Sequence, residues 1–158
     1  MLTTITLIGS LLAGSEWVCK HETRYMQYNL IESITARTRY DDEMRFHTAS
    51  ETVYRRMFNH PEIAYPSGEL AAMAVVVEGQ AKLHDDDRLE FRPKRARATP
   101  LFDRIGMLSP EMLRETEQLY LDRRRREDWP KVEIDGNEMS ILHGQDGPTI
   151  RCTRYSEG

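Results

Sequence analysis

The sequence predicts an α+β fold, in which an N-terminal helical portion packs against a small C-terminal antiparallel β-meander. Three observations predict it. No proline precedes Pro61 and all seven prolines lie from there on, so the first part of the chain can form long helices. Apolar residues in that part recur at helical spacing. Near the C-terminus, apolar and polar residues alternate between turn signals, which is typical of short strands.

The length of 158 residues predicts one domain, spanning 1–158. Within it we expect residues 1–60 to be mainly helical. We expect residues 61–108 to hold loops, short strands and a basic segment. A helix is predicted over 109–127 and antiparallel strands over 131–155.

Helical spacing in the first part of the chain rests on apolar side chains three, four or seven residues apart: Leu7, Leu11, Val18, Tyr25 and Tyr28. This pattern predicts a helix from about Ser10 into the thirties or forties. The preceding Leu2–Ala13 stretch is too short to span a membrane and lacks the positive flank of a signal peptide. We expect it to be a retained, buried element.

A second N-terminal helix is predicted from Thr48, which with Glu51 matches a capping box. Val53 and Met57 then form one pair four residues apart, as helix-stabilising pairs do. The helix should end at Asn59–Pro61, because proline disfavours the helical conformation of the residue before it.

The middle of the chain gives weaker signals. Glu69–Val77 begins like a helix and ends like a strand, and the sequence leaves both open. Leu89 and Phe91 alternate with charged residues, which favours an edge strand that stops at Pro93.

The third predicted helix starts at Ser109-Pro110-Glu111, where serine is a good N-cap, proline suits the first helical position and an acid suits the first turn. We expect Arg123–Arg126 to lie in its last turn, opposite the negative end of the helix dipole.

Three C-terminal strands are predicted from alternation around Val132 and Ile134, the Asp135-Gly136 turn signal, and apolar stretches at Met139–Leu142 and Ile150–Tyr155.

The two cysteines, Cys19 and Cys152, lie near opposite ends of the chain. A single distant pair is a poor disulfide framework, so we expect both to be reduced, buried thiols in a cytoplasmic protein.

Charge is distributed unevenly along the chain. The net charge is −4, which argues against a bulk polyanion binder. Residues 1–87 carry a net −5 and residues 88–158 a net +1. Two basic runs account for the positive charge, and together they supply the candidate anion-binding residues: Arg88, Arg92, Lys94, Arg95, Arg97, Arg123, Arg124, Arg125 and Arg126.

Arginines and lysines in an extended segment can follow phosphates, and Phe91 can stack on a base. The leading expectation is therefore a non-enzymatic binding protein whose partner is nucleic acid, a nucleoprotein or an acidic protein surface. A simpler alternative is that these arginines pair with nearby carboxylates such as Asp85–Asp87. Four consecutive arginines on a helix also point in different directions, so Arg123–Arg126 need not form one patch.

Two other functions stay open. One is a structural or assembly subunit, or a small protein inhibitor, acting through protein contacts. The other is a small enzyme acting on a phosphorylated or nucleotide substrate, which predicts a pocket joining Arg92 or Arg95 to His21, His47, His60 or His84. The sequence contains no metal, nucleophile or nucleotide-binding motif, so we expect no metal and no cofactor, and favour no enzyme. No membrane partner is expected either.

Overall fold

The structure is a computed structural model and describes residues 11–57, 68–122, 125–144 and 147–156. Strands dominate it. The eight strands, in chain order, are β1 (Glu16–Tyr25), β2 (Leu30–Tyr40), β3 (Arg45–Arg56), β4 (Glu69–Leu83), β5 (Leu89–Asp103), β6 (Lys131–Asp135), β7 (Glu138–Leu142) and β8 (Thr149–Arg154). One α-helix, α1 (Pro110–Leu121), connects β5 to β6.

All eight strands form one antiparallel sheet in the order β5-β4-β3-β2-β1-β8-β7-β6. Its two edges meet. Arg88, just before β5, bridges to Lys131 at the start of β6. The Leu89 N–H donates to the Pro130 carbonyl at 2.9 Å, and the Val132 N–H donates to the Asp87 carbonyl at 3.0 Å. The sheet therefore curls round and encloses an inner face.

The predicted N-terminal helical portion is wrong, and so is the α+β class built on it. Residues 16–56 form three long strands, β1 to β3. The apolar spacing that suggested a helix crosses the turn between β1 and β2, where Asn29 adopts a φ of 50°. Alternation in these strands is hard to see because several inner positions are polar, including Thr38, Thr48 and Ser50.

The predicted second helix is also absent, because Thr48–Glu51 lies inside β3. Thr48 faces inward and shares a hydrogen bond of 2.8 Å with Thr38 on β2, so it caps no helix. Glu69–Val77, left open by the sequence, lies in β4. The predicted helix end at Asn59–Pro61 and most of Leu2–Ala13 lie outside the described residues.

The helix start at Ser109 is confirmed. The Ser109 hydroxyl accepts the Met112 N–H at 3.1 Å, and Pro110 occupies the first turn. The helix ends at Leu121, however, so the second basic run does not form its last turn. The three C-terminal strands are present as β6, β7 and β8, but they belong to the one large sheet and form no separate meander.

The helix covers the exposed edge of β5. Beyond its first residues, β5 pairs only with β4, which leaves backbone groups on its other side. The Glu117 carboxylate accepts a hydrogen bond from the Ala98 N–H at 2.9 Å. Because free strand edges invite pairing with other chains, this contact completes the wall where the sheet is open.

Gly79 permits a sharp approach of β4 to β5. A Cβ at this position would lie 2.2 Å from the Arg92 carbonyl oxygen and 2.7 Å from the Pro93 Cα. The register of the two strands shifts between Glu78 and Gly79. This irregularity bends β5 and directs Pro93 toward the enclosed space.

The expectation of two reduced thiols is wrong, because Cys19 and Cys152 form a disulfide. They are direct cross-strand partners on β1 and β8. Their separation of 133 residues in the sequence does not prevent the bond, because the sheet places the first and last strands side by side. Disulfides persist mainly in oxidising compartments, so the bond weighs against the cytoplasmic assignment, which stays a prediction.

In the part of the chain that the structure describes, no helix has the length and apolar character needed to cross a membrane.

Candidate functional site

A cavity of about 240 Å³ lies against the inner face of the sheet and is bordered by the end of α1 and by Asp128–Pro130. It opens to solvent, since Leu119 in its lining is 69% exposed. Its apolar lining comes from Phe46, Val77, Leu89, Phe91, Pro93, Leu119, Trp129, Pro130 and Ile141. Its polar lining comes from Thr48, Tyr120, Asp122, Asp128 and His143. Concave apolar sites with a few polar groups are the usual form of small-molecule sites.

Two phenylalanines form one wall. The Phe46 and Phe91 rings meet edge to face, with centroids 5.1 Å apart and an angle of 87° between their planes. Phe46 and Thr48 lie two residues apart on the inner face of β3, and Leu89 and Phe91 lie two residues apart on the inner face of β5. The edge-to-face arrangement fixes both rings and leaves ring surface toward the cavity.

The indole of Trp129 forms another wall, and a second ring packs against it. The His84 ring stacks on it, with centroids 4.5 Å apart and planes inclined by 22°. The His84 Nε2 donates to the Glu90 carboxylate at 2.8 Å, and the Arg92 Nε donates to the same carboxylate at 2.6 Å. A chain of contacts therefore runs from Arg92 to the cavity wall.

Glu90 remains ionised within this chain of contacts. The hydrogen bond from Arg92 is the main reason that the pKa of the Glu90 carboxyl lies below its usual value. Burial opposes this effect and the bond from His84 adds to it. A negative Glu90 holds the His84 ring in the orientation that supports Trp129.

Farther along β3 from Thr48, a carboxylate and two phenols share the inner face of the sheet. Glu32 is the cross-strand partner of Tyr54. Burial raises the pKa of the Tyr54 hydroxyl, and the hydrogen-bonded Glu32 carboxylate and nearby Tyr120 raise it further. Burial and Glu32 likewise raise the pKa of Tyr25. Of these residues only Tyr120 lines the cavity; Glu32, Tyr25 and Tyr54 do not.

The two predicted basic runs meet, but carboxylates neutralise them there. The Arg88 Nε lies 3.1 Å from an Asp86 carboxylate oxygen, and the guanidinium Nη2 of Arg126 lies 3.8 Å from the same oxygen. Arg88 also donates to the Arg126 carbonyl at 2.9 Å. Arg92 forms an ion pair with Glu90, with Nε and a carboxylate oxygen 2.6 Å apart. For these three arginines the simpler alternative, pairing with local carboxylates, describes the contacts.

Three other predicted residues, Lys94, Arg95 and Arg97, are exposed and form no ion pair with the described part of the chain. Arg95 and Arg97 are cross-strand partners of Glu78 and Val76 on the outer face of β4.

Sequence reasoning missed a fourth cation on this outer face. Arg39 lies two strands from β4, in the row of cross-strand partners that runs through His47 and Glu78 to Arg95. Strand spacing places the backbones of Arg39 and Arg95 about 14 Å apart. We call Arg39, Lys94, Arg95 and Arg97 the outer basic surface.

The remaining predicted arginines contribute less. Arg125 is exposed after the end of α1, and Arg123 and Arg124 lie outside the described residues. Arg125 and Arg126 both lie after the end of α1 and so are not part of that helix.

The pocket predicted for a phosphate-handling enzyme is not this cavity, whose lining includes none of the arginines and histidines named for it. His47 lies on the outer face and pairs with Glu78 at 2.9 Å, while His21 bonds to Thr23 at 3.1 Å. His60 lies outside the described residues. Over the described ranges, no group of three histidine, cysteine or acidic residues is arranged to hold a metal ion.

The cavity could not be predicted from local sequence patterns. Phe46, Phe91 and Trp129 lie on three separate segments and are brought together only by the closure of the sheet. His143, which also lines the cavity, lies in no motif that identifies a site. The one available local signal was the run Asp128-Trp129-Pro130, in which a large aromatic residue is held between a turn and a proline.

No protein-family model matches the chain, and no curated protein matches it either.

Proposed function

We propose that this protein is a non-enzymatic binding protein that holds a small, mainly apolar molecule in the cavity. One observation carries the proposal: the curled sheet and α1 together leave a cavity of about 240 Å³ that opens to solvent and has a mainly apolar lining. An antiparallel sheet of eight strands encloses enough space for side chains or for one small ligand.

The size and shape of the lining favour a flat, aromatic or compact aliphatic ligand. Phe46, Phe91 and Trp129 present ring surfaces, and the Thr48 hydroxyl offers a polar contact at the base. Burying about 200 Å² of a two-ring molecule contributes about 5 kcal/mol before the cost of association, so the Kd of such a probe should be no lower than roughly 200 µM. A natural ligand that also satisfies the polar groups should bind more tightly.

Equilibrium dialysis with naphthylmethanol, detected by its own fluorescence, tests the proposal. Val77 lines the cavity, whereas its neighbour Val76 is 36% exposed on the outer face. Val77→Phe should fill part of the cavity and reduce binding at least about tenfold, as overpacked sites reject a ligand. Val76→Phe is the matched control and should bind as the wild type does.

The proposal fails if the wild-type protein retains no naphthylmethanol at millimolar concentration. It also fails if Val76→Phe and Val77→Phe reduce binding equally, because binding would then not depend on the cavity. Circular dichroism of both variants establishes that each is folded.

A second function, contact with an anionic partner, is supported by the outer basic surface. Its four cations do not line the cavity, and Lys94, Arg95 and Arg97 form no ion pair among the described residues, although Arg95 lies across from Glu78. Arg39 on β2 and Arg95 on β5 lie on the same face of the sheet, and cations spread over one face suit a polyanion or an acidic protein segment. The interaction would be electrostatic and would weaken as salt rises.

A salt series with labelled single-stranded and duplex DNA tests this second function. Arg39→Ala/Arg95→Ala/Arg97→Ala should abolish binding. Arg24→Ala/Arg114→Ala/Arg151→Ala removes the same charge elsewhere and should retain it. Equal losses in both triple variants, or no binding at low salt, would contradict a specific surface. The assembly-subunit and small-enzyme alternatives stay predictions, because no contact among the described residues favours either.

A further inference from the structure

We infer that the disulfide between Cys19 and Cys152 controls how firmly the cavity holds its ligand, so that reduction of the bond weakens ligand binding. The inference rests on the proposed function and adds its regulation. It comes from the place of the bond in the sheet, at a short junction between the C-terminal strands and the strands before them.

The walls of the cavity come from two parts of the chain. On one side, Phe46 and Phe91 lie on β3 and β5. On the other side, Ile141 lies on β7, and Trp129 and Pro130 come directly before β6. We call β6, β7 and β8, together with Trp129 and Pro130, the C-terminal section. A movement of this section relative to β3 and β5 therefore changes the shape of the cavity.

The C-terminal section joins the rest of the sheet along two short junctions. On one side, β8 pairs with β1 only over Trp17–Lys20, whereas β2 pairs with β1 over the whole of Glu16–Tyr25. On the other side, the described residues provide the bridge between Arg88 and Lys131 and the backbone hydrogen bonds next to it. Short ladders open more readily than long ones, so the section is a candidate for local opening.

The disulfide lies within the junction between β1 and β8. Cys19 and Cys152 are direct cross-strand partners there, and they are the two cysteines of the chain. Beyond Lys20, β1 continues to Tyr25 without β8 beside it. The covalent bond therefore limits how far β8 separates from β1, and its loss favours opening of the section.

Other contacts keep the section attached when the bond is reduced. The Tyr155 N–H donates to the Glu16 carbonyl at 2.8 Å, and the Arg154 guanidinium lies 5.0 Å from the centre of the Trp17 ring system. Val132 of β6 is fully buried in the core. We therefore expect reduction to loosen the section without unfolding the protein.

The reaction uses a dithiol as the reductant. One thiolate of the dithiol attacks the sulfur of Cys19, which is partly exposed, whereas Cys152 is only 3% exposed. The bond between the two cysteines breaks, and the Cys152 sulfur leaves as a thiolate and takes up a proton. The second sulfur of the dithiol then displaces Cys19 in the same way. Two electrons and two protons pass to the protein, and the dithiol becomes a disulfide.

Loosening weakens binding because only the closed arrangement presents both walls to the ligand. The apparent Kd is the intrinsic Kd divided by the fraction of molecules that are closed. If reduction lowers this fraction to between about one third and one tenth, the Kd rises about three- to tenfold.

Equilibrium dialysis with naphthylmethanol tests the inference on the oxidised protein and on protein reduced with dithiothreitol. We expect reduction to raise the Kd about three- to tenfold, and re-oxidation to restore it. Cys19→Ala/Cys152→Ala is the matched control. It should bind as the reduced wild type does, and dithiothreitol should not change its Kd.

Amide hydrogen exchange without ligand separates local opening from a general loss of stability. After reduction, exchange in β6, β7 and β8 should accelerate at least about tenfold more than exchange in β3 and β4. Equal acceleration in both sets of strands would contradict the inference, because the bond would then stabilise the whole fold and not the section in particular.

The dialysis outcomes distinguish the inference from the proposed function. If the oxidised and reduced proteins bind naphthylmethanol equally, the cavity is a ligand site but the inference is wrong. The inference is also wrong if dithiothreitol weakens binding to the cysteine-free variant. If neither form of the wild type binds the probe, the proposed function fails and the inference fails with it.

Discussion

The imidazole of His84 stacks on the indole of Trp129, with ring centres 4.5 Å apart. Trp129 lines the cavity, whereas His84 lies in the turn between β4 and β5, on the far side of the indole. The Glu90 carboxylate holds the imidazole at 2.8 Å. The turn that contains the acidic run Asp85–Asp87 therefore supports the cavity wall.

Removal of the stacked ring should weaken ligand binding. We expect His84→Ala to raise the Kd for naphthylmethanol about three- to tenfold, because an aromatic pair contributes about 0.5–1.5 kcal/mol beyond the area it buries. Equilibrium dialysis measures this change. His47→Ala removes the other histidine–glutamate pair, on the outer face, and should leave the Kd unchanged. Unchanged binding in His84→Ala would show that Trp129 needs no support from behind.

The contact between Glu117 and the Ala98 N–H should stabilise the fold. Glu117→Ala leaves this backbone donor on the β5 edge without its carboxylate acceptor. We expect the free energy of unfolding to fall by about 1–2 kcal/mol in urea denaturation. Glu115→Ala changes an exposed glutamate on the same helix and is the matched control. Equal effects of the two variants would contradict a specific role for the edge contact.

The start of the helix could be predicted from the sequence, whereas the pairing of the strands into one curled sheet could not. Ser109 and Pro110 identify the start of α1 because capping depends only on adjacent residues. The first three strands were mistaken for helices because inward-facing Thr48 and Ser50 hide the alternation that identifies a strand. An inner face that holds a cavity and polar groups lacks the apolar pattern of an ordinary core. The polar inner residues therefore made the strands difficult to predict from the sequence.

The candidate site shows the same limit. The basic segment could be recognised in the sequence as a run of arginines and lysines. The sequence could not show that Arg88 and Arg92 form ion pairs with carboxylates whereas Arg95 forms none among the described residues. That difference depends on which face of β5 each side chain occupies and on the register with β4. Arg39 joins Arg95 only through the pairing of β2, β3 and β4.

The disulfide should contribute to stability. It joins β1 to β8 and closes a loop that includes most of the chain. Cys19→Ala/Cys152→Ala should lower the free energy of unfolding by about 2–4 kcal/mol, because the unfolded chain gains conformational freedom. A reductant should destabilise the wild type and leave the double variant unchanged. Alkylation of both cysteines in denatured, unreduced protein would show that the bond does not form.

Acid should destabilise the protein partly through Asp103, at the end of β5. Burial alone would raise the pKa of this carboxyl, but bonds from the N–H groups of Leu108, Met107 and Ile105 hold the pKa below its usual value. A lowered pKa in the folded state stabilises the protein above the ordinary pKa of aspartate. That contribution is lost as pH falls through the folded value.

The variant Asp103→Asn should therefore be less stable than the wild type near neutral pH, and the difference should shrink between about pH 5 and pH 2. Urea denaturation across this range measures it. Asp135→Asn is the control and should follow the wild-type curve. A constant difference at every pH would contradict a role for the ionised carboxylate.

The most direct test of ligand binding in the cavity is a set of intermolecular nuclear Overhauser effects between naphthylmethanol and methyl-labelled protein. The methyl groups of Val77, Leu89 and Ile141 line the cavity, whereas those of Val76 face outward. If the probe binds in the cavity, we expect contacts from the naphthyl ring to Val77, Leu89 and Ile141 and none to Val76. Contacts confined to Val76 and other outer residues, or no contacts at saturating probe, would contradict it.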